Sequence, residues 1–121
     1  MIESKESRWK DIFKHLKEAG LEVYSPGVKT GNCLAPYIVI KYDGSTRRAG
    51  ISTNEDYYAV LCYVPQQSYS ELEPFVQKVK QEMKKLEPMI LPQGSQTPSF
   101  YDDDFKAHMI SIEYKNYKKM L

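Results

Sequence analysis

Tyr37-Ile38-Val39-Ile40-Lys41-Tyr42, opened by Pro36, and Tyr57-Tyr58-Ala59-Val60-Leu61-Cys62-Tyr63-Val64, closed by Pro65, decide the fold of this chain. Both runs are rich in β-branched and aromatic residues, which pack well on a pleated surface. Proline does least harm at the first residue of a strand. Asp43-Gly44 is a turn signal. The polar stretch 45–56 carries Arg47, Arg48 and Gly50 and reads as a hairpin arm or a mobile loop. Two strands are therefore expected early in the chain.

Outward from this pair, the periodicity changes. Ser7 to Ala19 reads as a helix, because Trp9, Ile12, Phe13 and Leu16 recur at spacings of three and four. Lys10, Lys14, His15 and Lys17 fall on its surface, and Gly20 stops it. Leu21 to Tyr24 is a short extended piece, and 25–35 is a loop with Pro26, Gly27 and Gly31. A second helix runs from Ser68 or Ser70 to Leu86, with Leu72, Phe75, Val76, Val79, Met83 and Leu86 on its apolar face. Either serine stands three residues before a glutamate, as in a capping box, and Pro74 keeps the helix start close by. Pro88, Pro92, Gly94 and Pro98 make 87–99 a loop. The last strand is Lys106 to Tyr117, where His108, Ile110, Ile112 and Tyr114 alternate with Met109, Ser111 and Glu113; the tail 118–121 is expected to fray. Helix, strands, helix, strand predicts one α+β domain over residues 1–121. It is a two-layer sandwich with a mostly antiparallel sheet of about four strands and two helices on one face.

Composition narrows the function. The chain has 121 residues, 41% hydrophobic and 27% charged, enough for one core and too few for two domains. Seventeen basic and sixteen acidic residues leave a net charge of +1, without the basic excess of a dedicated nucleic-acid binder. A locally basic face at Lys78, Lys80, Lys84 and Lys85 remains. No apolar run is long enough for a signal peptide or a membrane span, so neither is expected. Cys33 and Cys62 lack the spacing of a zinc or redox pair and read as free thiols in a reducing compartment. Cys62 reads as core; the exposure of Cys33, in its loop, is left open.

Little chemistry is legible. Asp102-Asp103-Asp104 with His108 is the only acidic cluster near a histidine, and carboxylates suit hard cations. Three consecutive aspartates point in different directions, however, so an acidic turn is the expected reading. Cys62 sits in a Val-Leu-Cys-Tyr-Val run and reads as inert. No phosphate-cradling or nucleophile-elbow motif occurs. No catalytic residue, cofactor or metal is expected. Ten tyrosines suit either the rims of a sheet or a protein interface.

Three stretches resemble a known family. They are Val23-Tyr24-Ser25-Pro26-Gly27 through Gly31, Cys33 and Pro36-Tyr37-Ile38-Val39; Tyr57-Tyr58 with Cys62-Tyr63-Val64-Pro65; and Pro98-Ser99-Phe100-Tyr101-Asp102-Asp103 through Lys106-Ala107-His108-Met109, Ser111-Ile112-Glu113-Tyr114 and Tyr117-Lys118. Together they resemble the tail terminator (tail completion) proteins of long-tailed phages and prophages of Gram-positive bacteria. The resemblance implies a non-enzymatic assembly part with a two-layer α+β fold. It implies a ring, expected as a hexamer, that caps the tail tube and meets the head connector. The implied partners are further copies of the chain, the tail-tube protein and the connector, with no membrane and no specific nucleic acid. The implied location is the host bacterial cytoplasm during assembly and then the neck of the virion. Arg47, Arg48, Tyr101, Asp102, Asp103 and Asp104 are the expected contact residues, because they lie in loops and carry opposite charges. The rival readings are another neck, connector or minor capsid component, a nucleic-acid module using the lysines of the second helix, and a metal enzyme at Asp102–Asp104 and His108.

Overall fold

The computed structural model describes residues 8–47 and 53–119. Its layers follow from two periodicities. In helix α1, Trp9–Glu18, Ile12 and Leu16 are fully buried, with Trp9 and Phe13 packed beside them. Gly20 ends the helix at φ +90°, a left-handed conformation that glycine adopts without a Cβ clash. Strand β1, Val23–Tyr24, follows. Strands β2, Tyr37–Arg47, and β3, Thr53–Pro65, form a long antiparallel pair. A 3-10 helix, Gln66–Glu71, leads into α2, Leu72–Lys84. Strands β4, Leu91–Gln96, β5, Phe100–Asp102, and β6, Ala107–Lys119, complete the chain.

Among the described residues the architecture is α+β, with an open mixed sheet of six strands and two α-helices. The sheet order is β1-β2-β3-β6-β4, with β5 also pairing β6. Six strands stand where about four were expected, because three short segments outside the clear apolar runs join the sheet, at 23–24, 91–96 and 100–102, the last pairing with β6 as β5. The short piece at 23–24 pairs with β2, and does so in parallel. The region 87–99, read as a loop from its prolines and Gly94, holds β4, which pairs with β6 at both of its ends. Between Pro92↔Tyr114 and Gln96↔Ile112 the edge strand carries two extra residues, and Gly94 sits there at φ +93°. Irregular edges tolerate proline and glycine that a central strand would reject.

Asp43-Gly44 is not a turn. β2 runs through it, with a one-residue bulge between Tyr42↔Tyr58 and Ser45↔Asp56 and with Gly44 at φ +99°. The hairpin arm is therefore ordered strand to Arg47 on one side and from Thr53 on the other. Arg48 lies outside the described residues. The final strand also extends further than expected, to Lys119, because Thr53 and Asn54 pair with Lys119 and Lys118; Met120 and Leu121 lie outside the described residues. No capping box opens the second helix. A 3-10 turn does so instead, and Glu71 makes no side-chain cap.

One face of the sheet carries the main core. Ile38 and Ile40 of β2, Tyr58, Val60, Cys62 and Val64 of β3, and Ile112 of β6 meet α1 and α2, whose Val76, Val79 and Met83 are buried against them. His15, expected at the surface, is half-buried between the helices. Its Nε2 lies 2.8 Å from the Glu82 carbonyl oxygen and 3.4 Å from the Glu82 carboxylate. Among the described residues no helix is long and apolar enough to cross a membrane.

The opposite face is only partly covered. Segment 25–35 folds over one end of it, and the Cys33 amide donates to the Phe105 carbonyl at 2.7 Å. Cys33 is thereby buried with Tyr37, Tyr63, Ala107 and Met109. Tyr37 and Tyr63 stand opposite each other in register and stack at 4.8 Å. The two thiols therefore sit on different faces of the sheet, in separate apolar clusters, and are free.

Candidate functional site

Ala107 opens β6 opposite Pro65 and Asp102, while Arg47 closes β2 opposite Asn54. From Asn54 to Pro65 the central strand spans eleven steps, or ~36 Å at ~3.3 Å per residue. Arg47 and the acidic residues singled out in the sequence thus lie at opposite ends of one ribbon. At one end, Arg47, Asn54 and Lys118 share a cross-strand row, with Lys119 one step beyond. At the other end, Tyr101, Asp102, Asp103 and Asp104 surround the β5–β6 turn. The structure does not bring the two groups together within one chain.

The acidic end is held in a defined shape. The Asp102 carboxylate accepts a hydrogen bond from the Asp104 amide at 3.0 Å, a local turn bond that aspartate forms readily. The Asp103 carboxylate accepts from Lys106 Nζ at 2.8 Å and keeps the lysine's pKa above its usual value. Asp103 itself stays 81% exposed, so it presents its charge to solvent. The Lys106 carbonyl accepts from the Gln66 amide, tying the turn to the 3-10 helix.

Beside this turn is a cluster that local sequence does not reveal. Tyr101 donates its hydroxyl hydrogen bond to Gln66 Oε1 at 2.6 Å. His108 Nε2 lies 3.1 Å from the Gln66 carbonyl oxygen, which can only accept, so this nitrogen carries the proton. The His108 ring lies between Tyr69, at 4.7 Å, and Tyr101, at 5.3 Å. Tyr69 and Ser99 share a hydroxyl hydrogen bond at 3.1 Å. These partners are 30 to 42 residues apart in the chain. Among the described residues the exposed large apolar side chains are Val28, Leu34, Tyr42, Tyr69, Phe100 and Tyr101. Three of these six stand at this end. Exposed tyrosines beside fixed charges have the composition of a protein-binding hot spot.

The arrangement offers less for metal chemistry. The carboxylates of Asp102 and Asp103 bind within the turn, and His108 Nε2 faces Gln66. Among the described residues, no group of three or more His, Cys, Asp or Glu side chains is placed to hold an ion. Burial raises the pKa of Cys33, and it pushes that of Cys62 up to about 12, which keeps both thiols protonated and unreactive at neutral pH.

Two hollows flank α2 on its edge-strand side. One, of about 350 Å³, lies between Lys80 and Lys84 and the irregular part of β4, over Ile112 and Tyr114. The other, of about 290 Å³, lies between Tyr69, Leu72 and Val76 and the segment 96–99, over Ile110. They exist because two helices are too narrow to cover six strands. In comparisons with known proteins, no protein-family model and no curated protein matches the chain.

Proposed function

We propose that this chain is a non-enzymatic structural protein of phage tail assembly. In this reading it forms a ring that caps the tail tube and joins it to the head connector. The family resemblance of the sequence supplies the role. The observation that carries the reading is the excess of one sign at each end of the sheet, with Arg47, Lys118 and Lys119 beside a single Glu55 at one end and Asp102–Asp104 beside a single Lys106 at the other, ~36 Å away. Groups of opposite sign at opposite ends cannot neutralise each other within one chain. They suit a head-to-tail contact between copies, and such a contact builds a closed ring when the rotation between copies closes. Tyr101 and Tyr69 add apolar area beside the acidic turn, where burial strengthens a charge pair. The partners in this reading are other copies of the chain, the tail-tube protein and the head connector. The working location is the host cytoplasm and then the virion neck.

The test is light scattering coupled to size exclusion across a range of concentrations, alone and with tail-tube protein. The expected result is a ring-sized species, near six copies, in at least one condition. Replacing Arg47→Glu and Arg48→Glu together should abolish it, and reversing Asp102, Asp103 and Asp104 to lysine in the same chain should restore it. A chain that stays monomeric even with tail-tube protein, or a ring indifferent to both reversals, refutes this interface.

A further inference from the structure

The hollow of about 290 Å³ between α2 and segment 96–99 has an apolar floor of Leu72, Val76 and Ile110, with Tyr69 and Pro98 in its walls. Among the described residues Glu73 is the one charged side chain that lines it. Glu71 stands just before Leu72, and both glutamates are exposed. The 3-10 helix carries this rim to the acidic turn, because Gln66 holds Tyr101 and His108, and Tyr69 holds Ser99.

The charge at this end is not balanced from within. Glu71, Glu73, Asp102, Asp103 and Asp104 supply five carboxylates. Among the described residues only one of them, Asp103, has a cation within 4 Å, and that cation is Lys106. Glu71 makes no side-chain cap on its own helix. His108 faces the Gln66 carbonyl oxygen. An apolar hollow with an acidic rim suits an occupant that carries apolar side chains next to cations: complementary charge selects the partner, and burial of apolar area holds it.

The chain contains such a segment in Lys118-Lys119-Met120-Leu121, two cations followed by two apolar residues. This segment cannot serve its own hollow. β6 passes beneath the hollow at Ile110 and stays in register with β3 to Lys119, nine steps and ~30 Å further on at ~3.3 Å per residue. Met120 and Leu121 add a reach of only ~7 Å. The segment leaves the sheet at its basic end, and the head-to-tail order proposed above turns that end toward the acidic end of a neighbouring copy.

We infer that segment 118–121 of one copy docks in this hollow of the next, with Met120 and Leu121 on the Leu72–Val76–Ile110 floor and Lys118 and Lys119 against Glu71 and Glu73. The contact rests on the head-to-tail reading, but it uses other side chains than the pairing of Arg47 and Arg48 with Asp102–Asp104.

The test is an NMR titration of the 121-residue chain carrying Met120→Ser and Leu121→Ser, whose own segment then does not compete, with a peptide of residues 113–121. Amide shifts should concentrate at 69–76, 96–99 and 110. The same peptide with serine at 120 and 121 should bind at least ~tenfold more weakly. With Glu71→Lys and Glu73→Lys added to the receiving chain, folded by circular dichroism, the native peptide should bind at least ~fivefold more weakly, and a Lys118→Glu, Lys119→Glu peptide should bind better than the native one. No shifts, shifts elsewhere, equal binding of the serine peptide, or indifference to the glutamate reversals overturns the inference. So does tighter binding in the hollow by a peptide of residues 45–52, which would make the hairpin its occupant. The titration needs no ring, so a failure to bind peptide overturns this contact while light scattering still judges the ring.

Discussion

Ile38 and Val39 are neighbours in sequence and opposites in the fold, which makes them the sharpest check on the sheet. Ile38 is fully buried under the helices, while Val39 is half-buried on the face that segment 25–35 covers only in part. Ile38→Ala removes three carbons from a packed site and leaves a cavity, a change that costs about 3 kcal/mol within a typical range of ~2–5. Val39→Ala removes two carbons. Full burial of these is worth ~0.8 kcal/mol each, so half-burial loses about 0.8 kcal/mol in all. The unfolding entropy of a chain this size is about 0.25 kcal/mol per degree, from ~2.1 cal/mol/K per residue. Ile38→Ala should therefore lower Tm by about 12 °C and Val39→Ala by about 3 °C. Urea melts followed by circular dichroism should give the same order of midpoints with unchanged slopes. A one-residue slip of β2 exchanges the two faces, so equal or reversed losses refute the register.

The remaining predictions concern titratable groups. Both thiols are buried with raised pKa values, Cys62 to about 12, so a thiol-reactive disulfide reagent should titrate none in the native chain within minutes and two after denaturation. Rapid native labelling of Cys33 would show that segment 25–35 does not hold its place on the sheet. Glu113 lies on the open face with Lys41 and Asp43, and its pKa is raised, first by burial and then by Asp43. A carboxyl whose folded pKa exceeds its unfolded value costs stability above the folded pKa, and the cost fades as pH falls through it. Glu113→Gln, which keeps an acceptor for Ser111 Oγ, should raise Tm at pH 7–8, and the gain should vanish below the ordinary glutamate pKa of about 4.3. A loss of stability at pH 8 would refute this.

The sequence by itself determined the layers of this protein. Period-3.6 stripes place Ile12 and Leu16 of α1, and Val76, Val79 and Met83 of α2, against the sheet. The apolar runs at 37–42 and 57–64 became central strands, and Cys62 joined the core. These signals are local, because a buried face must repeat with the period of its element. The acidic turn at 102–104 was legible for the same reason: aspartate bonds its own backbone nearby. What only the tertiary structure decided is everything that depends on a distant partner. Asp43-Gly44 has the composition of a turn, but Asn54–Asp56 lies ready to pair with 45–47 and the ladder passes through it as a bulge. Pro92, Gly94 and Pro98 have the composition of a loop, but the open edge of β6 draws part of that segment into a strand. Cys33 is buried because Phe105, far along the chain, accepts its amide hydrogen bond. The Tyr69–His108–Tyr101 cluster and the hollows beside α2 have no sequence signature either, since each is assembled from elements joined only by the sheet. Local pattern reports which face of an element is buried; long-range pairing decides what that face, and the residues left over, will meet.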